Sequence, residues 1–231
     1  MSPTDFRAKA RHIPVAREGI PYILAVAFAA LVMAILGVAS LAVLLLVATL
    51  LVWHFFRDPE RMMCSLPEEV LSPADGKVIV VERVEGARFV QAPCMKISIF
   101  MTILNVHVNR VPCSGVIQAI SYQKGAFHAA NLSKASIENE QGWIWVRTDS
   151  GHDVVVTQIA GLIARRIICW PRQGDRVEQG ERYGMIRFGS RVDVYVPVNA
   201  EIRVAVGDRA YGGETVDRKS TRLNSSHEWI S

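Results

Sequence analysis

Between Gly19 and Phe56 the chain has no Asp, Glu, Lys or Arg, and most positions are Ala, Val, Leu or Ile. A secretory signal has a shorter apolar core and a small-residue cleavage site, so this stretch reads instead as membrane-embedded. Cysteine is scarce: Cys64, Cys94, Cys113 and Cys169 are widely spaced, with no C-x-x-C. That spacing gives neither a zinc site nor a disulfide framework and suits a reducing cytoplasm. The sequence has no P-loop, dinucleotide fingerprint or metal-ligand pattern, so no metal is expected. The net charge is +4, yet no basic run is interleaved with aromatics, as a single-strand binder needs. Nucleic acid is therefore not expected as a partner. Beside an apolar segment the basic residues are better read as facing an anionic leaflet.

The apolar run is too long for one upright helix. About 35 helical residues would extend about 50 Å, against a hydrocarbon core of about 30 Å. Two helices of about 17 residues, turning near Gly37-Val38-Ala39-Ser40, would fit as a hairpin; a single tilted span is the alternative. Arg7, Lys9, Arg11 and Arg17 precede the run, and Arg57 and Arg61 follow it. Positive charge on both flanks favours a hairpin with both ends cytoplasmic. The chain thus divides into a basic segment (1–18), a membrane-embedded segment (19–56), a globular domain (57–216) and a tail (217–231). The tail is polar, aperiodic and similar to a recurrent sequencing-adapter read-through. It is set aside as non-native, so the native C-terminal residues after about Thr215 are expected to be missing.

Past Asp58-Pro59 the pattern changes to short strands. Gly76–Val81 follows an Asp-Gly turn, and Met95–Met101, Trp143–Arg147 and Val154–Gln158 are read as alternating runs. With Gly, Pro and Asp as punctuation, they predict a mostly-β sandwich or barrel-like domain. Lys134–Glu140 reads as a short helix or a long loop. Gly174–Glu181 has the turn grammar of a lipoyl- or biotinyl-type hairpin. No lysine occurs between Lys134 and Lys219, however, so a carrier function on that hairpin is not expected.

Three further motifs carry chemistry: Ser72-Pro73-Ala74-Asp75-Gly76, Asn105-Val106-His107-Val108-Asn109-Arg110, and Gly184 through Tyr195 with Gly189-Ser190 inside it. A glycine carbonyl is unhindered, and a following serine hydroxyl can attack it when a base takes its proton. Alone, each motif has a plainer reading: a turn, a histidine within a strand, a turn serine. In this order they resemble phosphatidylserine decarboxylase of the short bacterial type. The resemblance covers about Phe55 to Gly213, including Gly125–Glu140, Gln158–Ile167 and Gly174–Pro197.

The resemblance implies a self-cleaving proenzyme. The Ser190 hydroxyl attacks the Gly189 carbonyl, the amide becomes an ester, and β-elimination and hydrolysis leave a pyruvoyl group in place of Ser190. The products are a large β chain ending at Gly189 and a small α chain that remain together as a heterodimer. The pyruvoyl cofactor, rather than PLP, forms a Schiff base with the amine of a phospholipid substrate and accepts electrons as carbon dioxide leaves. Asp75 and His107 join Ser190 in an acid–histidine–serine arrangement. The long bacterial form has a second histidine three residues on, where this chain has Arg110. Either His107 serves both maturation and decarboxylation, or Arg110 binds charge. Arg165 and Arg166 are candidates for the lipid phosphodiester, or else a basic strand end facing anionic lipid. His128 and His152 have no partner pattern and read as surface or structural. The implied reaction is phosphatidylserine to phosphatidylethanolamine at the cell membrane, with the catalytic domain cytoplasmic. A serine-headgroup ether lipid is an alternative substrate, a membrane-anchored lipoyl-like adaptor is the non-enzyme alternative, and homo-oligomers are left open.

Overall fold

The computed structural model describes residues 14–61, 66, 69–128, 130, 138–161, 166–187, 190–214 and 216–219. The charge-free run forms two packed helices, α1 (Ile20–Ile35) and α2 (Ala39–Phe55). Ala- and Leu-rich composition supports both helices, and Pro21 sits in the first turn of α1, where its missing N–H costs nothing. The chain reverses at Gly37, whose φ of +75° is readily open to glycine. Large apolar side chains such as Phe28, Leu31, Leu44 and Leu51 point outward without cover. The helix including the preceding turn, Arg17–Ile35, is long and apolar enough to cross a membrane, whereas α2 is shorter. At the hairpin's root, Ala16, Phe55 and Phe56 pack with Val106, Val108 and Met185 of the globular domain.

That domain is built almost wholly of strands, as the alternating runs predict. They are β1 (Val70–Leu71), β2 (Gly76–Val84), β3 (Cys94–Met101), β4 (Val108–Arg110), β5 (Gly115–Gln123), β6 (Gln141–Thr148) and β7 (Asp153–Ala160). There follow β8 (Ile167–Cys169), β9 (Arg176–Val177), β10 (Arg182–Ile186), β11 (Ser190–Pro197), β12 (Glu201–Ile202), β13 (Arg209–Ala210) and β14 (Val216–Lys219). Eight of them form one sheet in the order β13-β2-β3-β11-β7-β6-β5-β9. β4-β10-β8 and β1-β14-β12 form two smaller sheets. The backbone of β14 pairs through Lys219, so strand pairing passes the 216/217 boundary expected from the sequence. Of Lys134–Glu140, residues 134–137 lie outside the described residues.

The large sheet repeats one pattern from either edge. β2 and β5 both open on glycine, and both carry a register shift shortly after their third residue, between Val78 and Val80 and between Ile117 and Ala119. A Cβ on Gly76 would collide with the Phe100 carbonyl, and one on Gly115 with the Arg147 carbonyl. Each of these strands is flanked by a Gly-Asp-Arg turn that ends in Gly-Glu: Gly207–Glu214 beside β2 and Gly174–Glu181 beside β5. Matched hydrogen bonds hold the two turns. Gly207 N donates to Val78 O at 2.9 Å and Gly174 N to Ile117 O at 2.8 Å. Gly213 N donates to Ser72 O at 2.8 Å and Gly180 N to Val111 O at 2.7 Å. β11 and β7 meet at the centre, and the apolar core, with Ile97, Ile99, Val154, Val156, Val192 and Val194, lies along them.

Candidate active site

Ser190 is the first residue of β11, fully buried, in register with Met101 at the end of β3 and Ala160 at the end of β7. Strand alternation puts it on the face of Val192 and Val194, at the end of their apolar row. Its hydroxyl donates to the Met101 thioether sulfur at 3.4 Å, a weak acceptor that leaves the oxygen uncommitted. The same sulfur takes an N–H from Asn109 at 3.8 Å, and Asn109 in turn accepts from Gln158 at 2.8 Å. Gly189 lies outside the described residues.

His107 precedes β4 and is fully buried. Among the described residues neither ring nitrogen has a hydrogen-bond partner, which is rare for buried polar atoms and marks a group with a task or a missing ligand. Phe55 at the end of α2 lies over the ring, with centroids 4.1 Å apart. Burial, aided by the Arg57 charge, pushes the imidazole pKa down to about 4 against the pull of the Asn105 backbone and Asp75. The ring is therefore neutral at physiological pH and has a free lone pair.

Asp75 is buried in the turn before β2. Arg61 grips its carboxylate with both terminal nitrogens, at 2.7 and 2.8 Å, and Gly212 N donates to it at 2.8 Å. No hydrogen bond joins it to His107; its charge reaches the ring through space. Arg61 also faces Glu214 at 3.3 Å. Beside this pair, Asp58 binds Arg182 at 2.6 Å and lies 3.5 Å from Arg110. Burial and neighbouring Arg182 push the Arg110 pKa down to about 10. Arg110 also donates to the Gly180 and Pro59 carbonyls at 3.0 and 2.8 Å, so its fork is spent on the domain itself.

Arg166 is exposed beside β8, and Arg165 lies outside the described residues. His128 is part-exposed and meets Glu138 at 2.9 Å, and among the described residues no group of His, Cys, Asp and Glu could hold a metal. Sequence reasoning missed Arg61 and Met101. It also missed a buried cluster on the opposite face of β11, where Arg191 pairs with Asp193 and donates to Ser98 at 2.9 Å. The signal for that cluster was present: opposite charges two residues apart in a strand share a face.

The domain buries a serine, a neutral histidine and a clamped carboxylate, and its relatives define its class as a decarboxylase. Residues 48–218 match the family model described as Phosphatidylserine decarboxylase. The Phosphatidylserine decarboxylase proenzyme of Syntrophus aciditrophicus is 50% identical over 202 residues, 87% of this chain and 95% of that protein. Its namesake from Desulfotalea psychrophila is 46% identical over 204 residues, covering 88% and 95%. That from Nitrosomonas europaea is 43% identical over 205 residues, covering 89% and 94%. The chain belongs to the phosphatidylserine decarboxylase family.

Proposed function

We propose that this chain is a self-processing, pyruvoyl-dependent decarboxylase that converts phosphatidylserine to phosphatidylethanolamine at the cytoplasmic face of a membrane. The observation that carries the reading is a fully buried serine at the start of the central strand whose hydroxyl, among the described residues, meets only a thioether, in a domain with a buried neutral histidine whose ring nitrogens have no hydrogen-bond partner among those residues. The relatives' names, which say proenzyme, support the same reading.

In maturation a ring nitrogen of His107 takes the Ser190 hydroxyl proton as the oxygen adds to the carbonyl of residue 189. The imidazolium so formed is disfavoured by burial, and the nearby negative charge of Asp75 offsets that cost. Ester formation frees the nitrogen of residue 190; loss of its Cα proton then expels the carboxylate of residue 189 from Cβ and separates the two chains, and water replaces the nitrogen of the dehydroalanine left behind, releasing ammonia. The residues fit the pyruvoyl group: residue 190 is fully buried, and among the described residues its hydroxyl meets a soft thioether. When formed, its carbonyl supplies an electron sink for the pair left behind by carbon dioxide. His107 would return a proton to the substrate carbon. Arg166, exposed near β8, and Arg165 would take the phosphodiester. The apolar hairpin would hold the domain at the leaflet, so that a diacyl lipid need not leave its bilayer.

Intact mass of the full chain and of Ser190→Ala tests the reading. Two fragments divided between residues 189 and 190, the smaller with a carbonyl-reactive N-terminus, are expected from the parent and a single chain from the variant. A parent chain that stays whole overturns the proposal. Release of carbon dioxide from phosphatidylserine vesicles tests the substrate.

A further inference from the structure

The turn joining β3 to β4 points its least soluble residues at the solvent. Ile103 and Leu104 are 53% and 64% exposed. Among the described residues outside the helical hairpin, they are the one adjacent pair of exposed large aliphatics. The turn is stiff. Asn105 Oδ1 accepts from both the backbone N–H and the hydroxyl of Thr102, each at 2.8 Å, and Asn105 N returns a bond to Thr102 O at 3.0 Å. Flexibility therefore does not account for the exposure; the turn is built to hold these side chains out.

Its position gives the exposure a use. Arg57, just past α2, donates to the His54 carbonyl at 2.8 Å and to the Leu104 carbonyl at 2.7 Å. One guanidinium thus ties the turn to the end of the hairpin. Val106, the next residue after the turn, packs with Phe55 and Phe56 at the hairpin's root. The apolar outer surface of the helices and the apolar tip are thereby adjacent. The turn also borders the site: Met101, the acceptor of the Ser190 hydroxyl, precedes it, and His107 follows two residues after Asn105.

We propose that the Thr102–Asn105 turn is a second membrane contact, with Ile103 and Leu104 entering the boundary between head groups and acyl chains beside the hairpin. The occupant is a phospholipid bilayer surface. This contact rests on the reading of the hairpin as membrane-embedded and adds to it an orientation: the end of the central strands that holds Ser190 faces the lipid. Apolar residues at such a boundary bury by a few ångströms and need no span of their own. Substrate would then reach residue 190 along the bilayer surface rather than through water.

The test uses full-length chain reconstituted in vesicles of phosphatidylcholine and phosphatidylglycerol, with and without phosphatidylcholine brominated on its acyl chains. Ile103→Trp and Leu104→Trp are compared with Ser150→Trp. Ser150 lies in the turn between β6 and β7, at the opposite end of the central strands. The emission added by Trp at 103 or 104 is expected to fall roughly two-fold with brominated lipid, while that added at 150 is unchanged. Vesicle-bound protein whose added emission at 103 and 104 is quenched no more than at 150 overturns this contact and leaves the hairpin reading standing. Protein that stays in the supernatant overturns both. Quenching does not require self-cleavage, so an inert Ser190→Ala background gives the same readout.

Discussion

The half of the large sheet beside Asp75 and the half beside Ser114 share one layout and differ in the side chain that caps the facing turn. In each, a residue just before the opening glycine of a long strand caps a backbone N–H of the facing Gly-Asp-Arg turn. Asp75 takes Gly212 N at 2.8 Å, and Ser114 Oγ takes Gln179 N at 3.0 Å. A hydroxyl suffices for the cap, as the Ser114 half demonstrates. The carboxylate at 75 exceeds that need, and its burial obliges the chain to bring Arg61 to it from beyond α2. The negative charge of Asp75 works against the burial that lowers the His107 pKa, and it is this influence that the proposed role of Asp75 calls on.

Making the first half resemble the second is the sharpest way to break this contrast. Asp75→Ser keeps an acceptor for Gly212 but removes the charge. Self-cleavage, followed as intact mass against time, is expected to slow at least about 100-fold in a chain that still melts cooperatively. Normal cleavage in that variant would reduce Asp75 to a cap. Next in size is Arg61→Gln, which leaves the buried carboxylate with Gly212 as its hydrogen-bond donor among the described residues; a loss of about 3 kcal/mol is expected in denaturant unfolding.

Acid sensitivity belongs to the same half. The folded pKa of His107, about 4, lies below its unfolded value near 6.5. Below pH 6.5 the unfolded chain therefore binds a proton that the folded chain refuses. Its contribution is full above pH 6.5 and is lost as the pH falls toward 4, by up to about 3 kcal/mol. Unfolding midpoints of His107→Gln should fall less over that window than those of the parent; parallel curves would contradict the buried neutral ring. The smallest effect is expected in the other half, where Ser114→Ala removes one cap, costs about 1 kcal/mol and leaves cleavage at the parent rate.

Much of this was legible in the sequence, for physical reasons. Two-residue alternation located β3, β6 and β7, because a strand buried between neighbours must show its faces to the core. Gly37 marked the helical turn because the chain needs a positive φ there. Motif order singled out Ser190, His107 and Asp75. The doubling of the sheet was also spelled out, as Gly174–Glu181 and Gly207–Glu214, but each copy is short. The copies are exchanged as well: β2 takes the later turn and β5 the earlier. Reading the first turn as a carrier hairpin hid its twin. Arg61 escaped notice because nothing local ties a guanidinium in an irregular segment to a carboxylate fourteen residues on. Met101 looked like any core residue, since a thioether becomes an acceptor only when a hydroxyl is placed against it.

β11 lies between β3 and β7, paired along its whole length with one and along most of it with the other. A cut before Ser190 would sever the chain at the entrance to that strand without removing a single rung of the ladder. The severed piece would stay where folding put it, held by the two flanking strands. Unfolding would then be a one-way act: the intact precursor can find its native state alone, whereas the separated pieces must first meet in solution. Their reassembly would depend on dilution. The ability to fold unaided would be used once, before the cut.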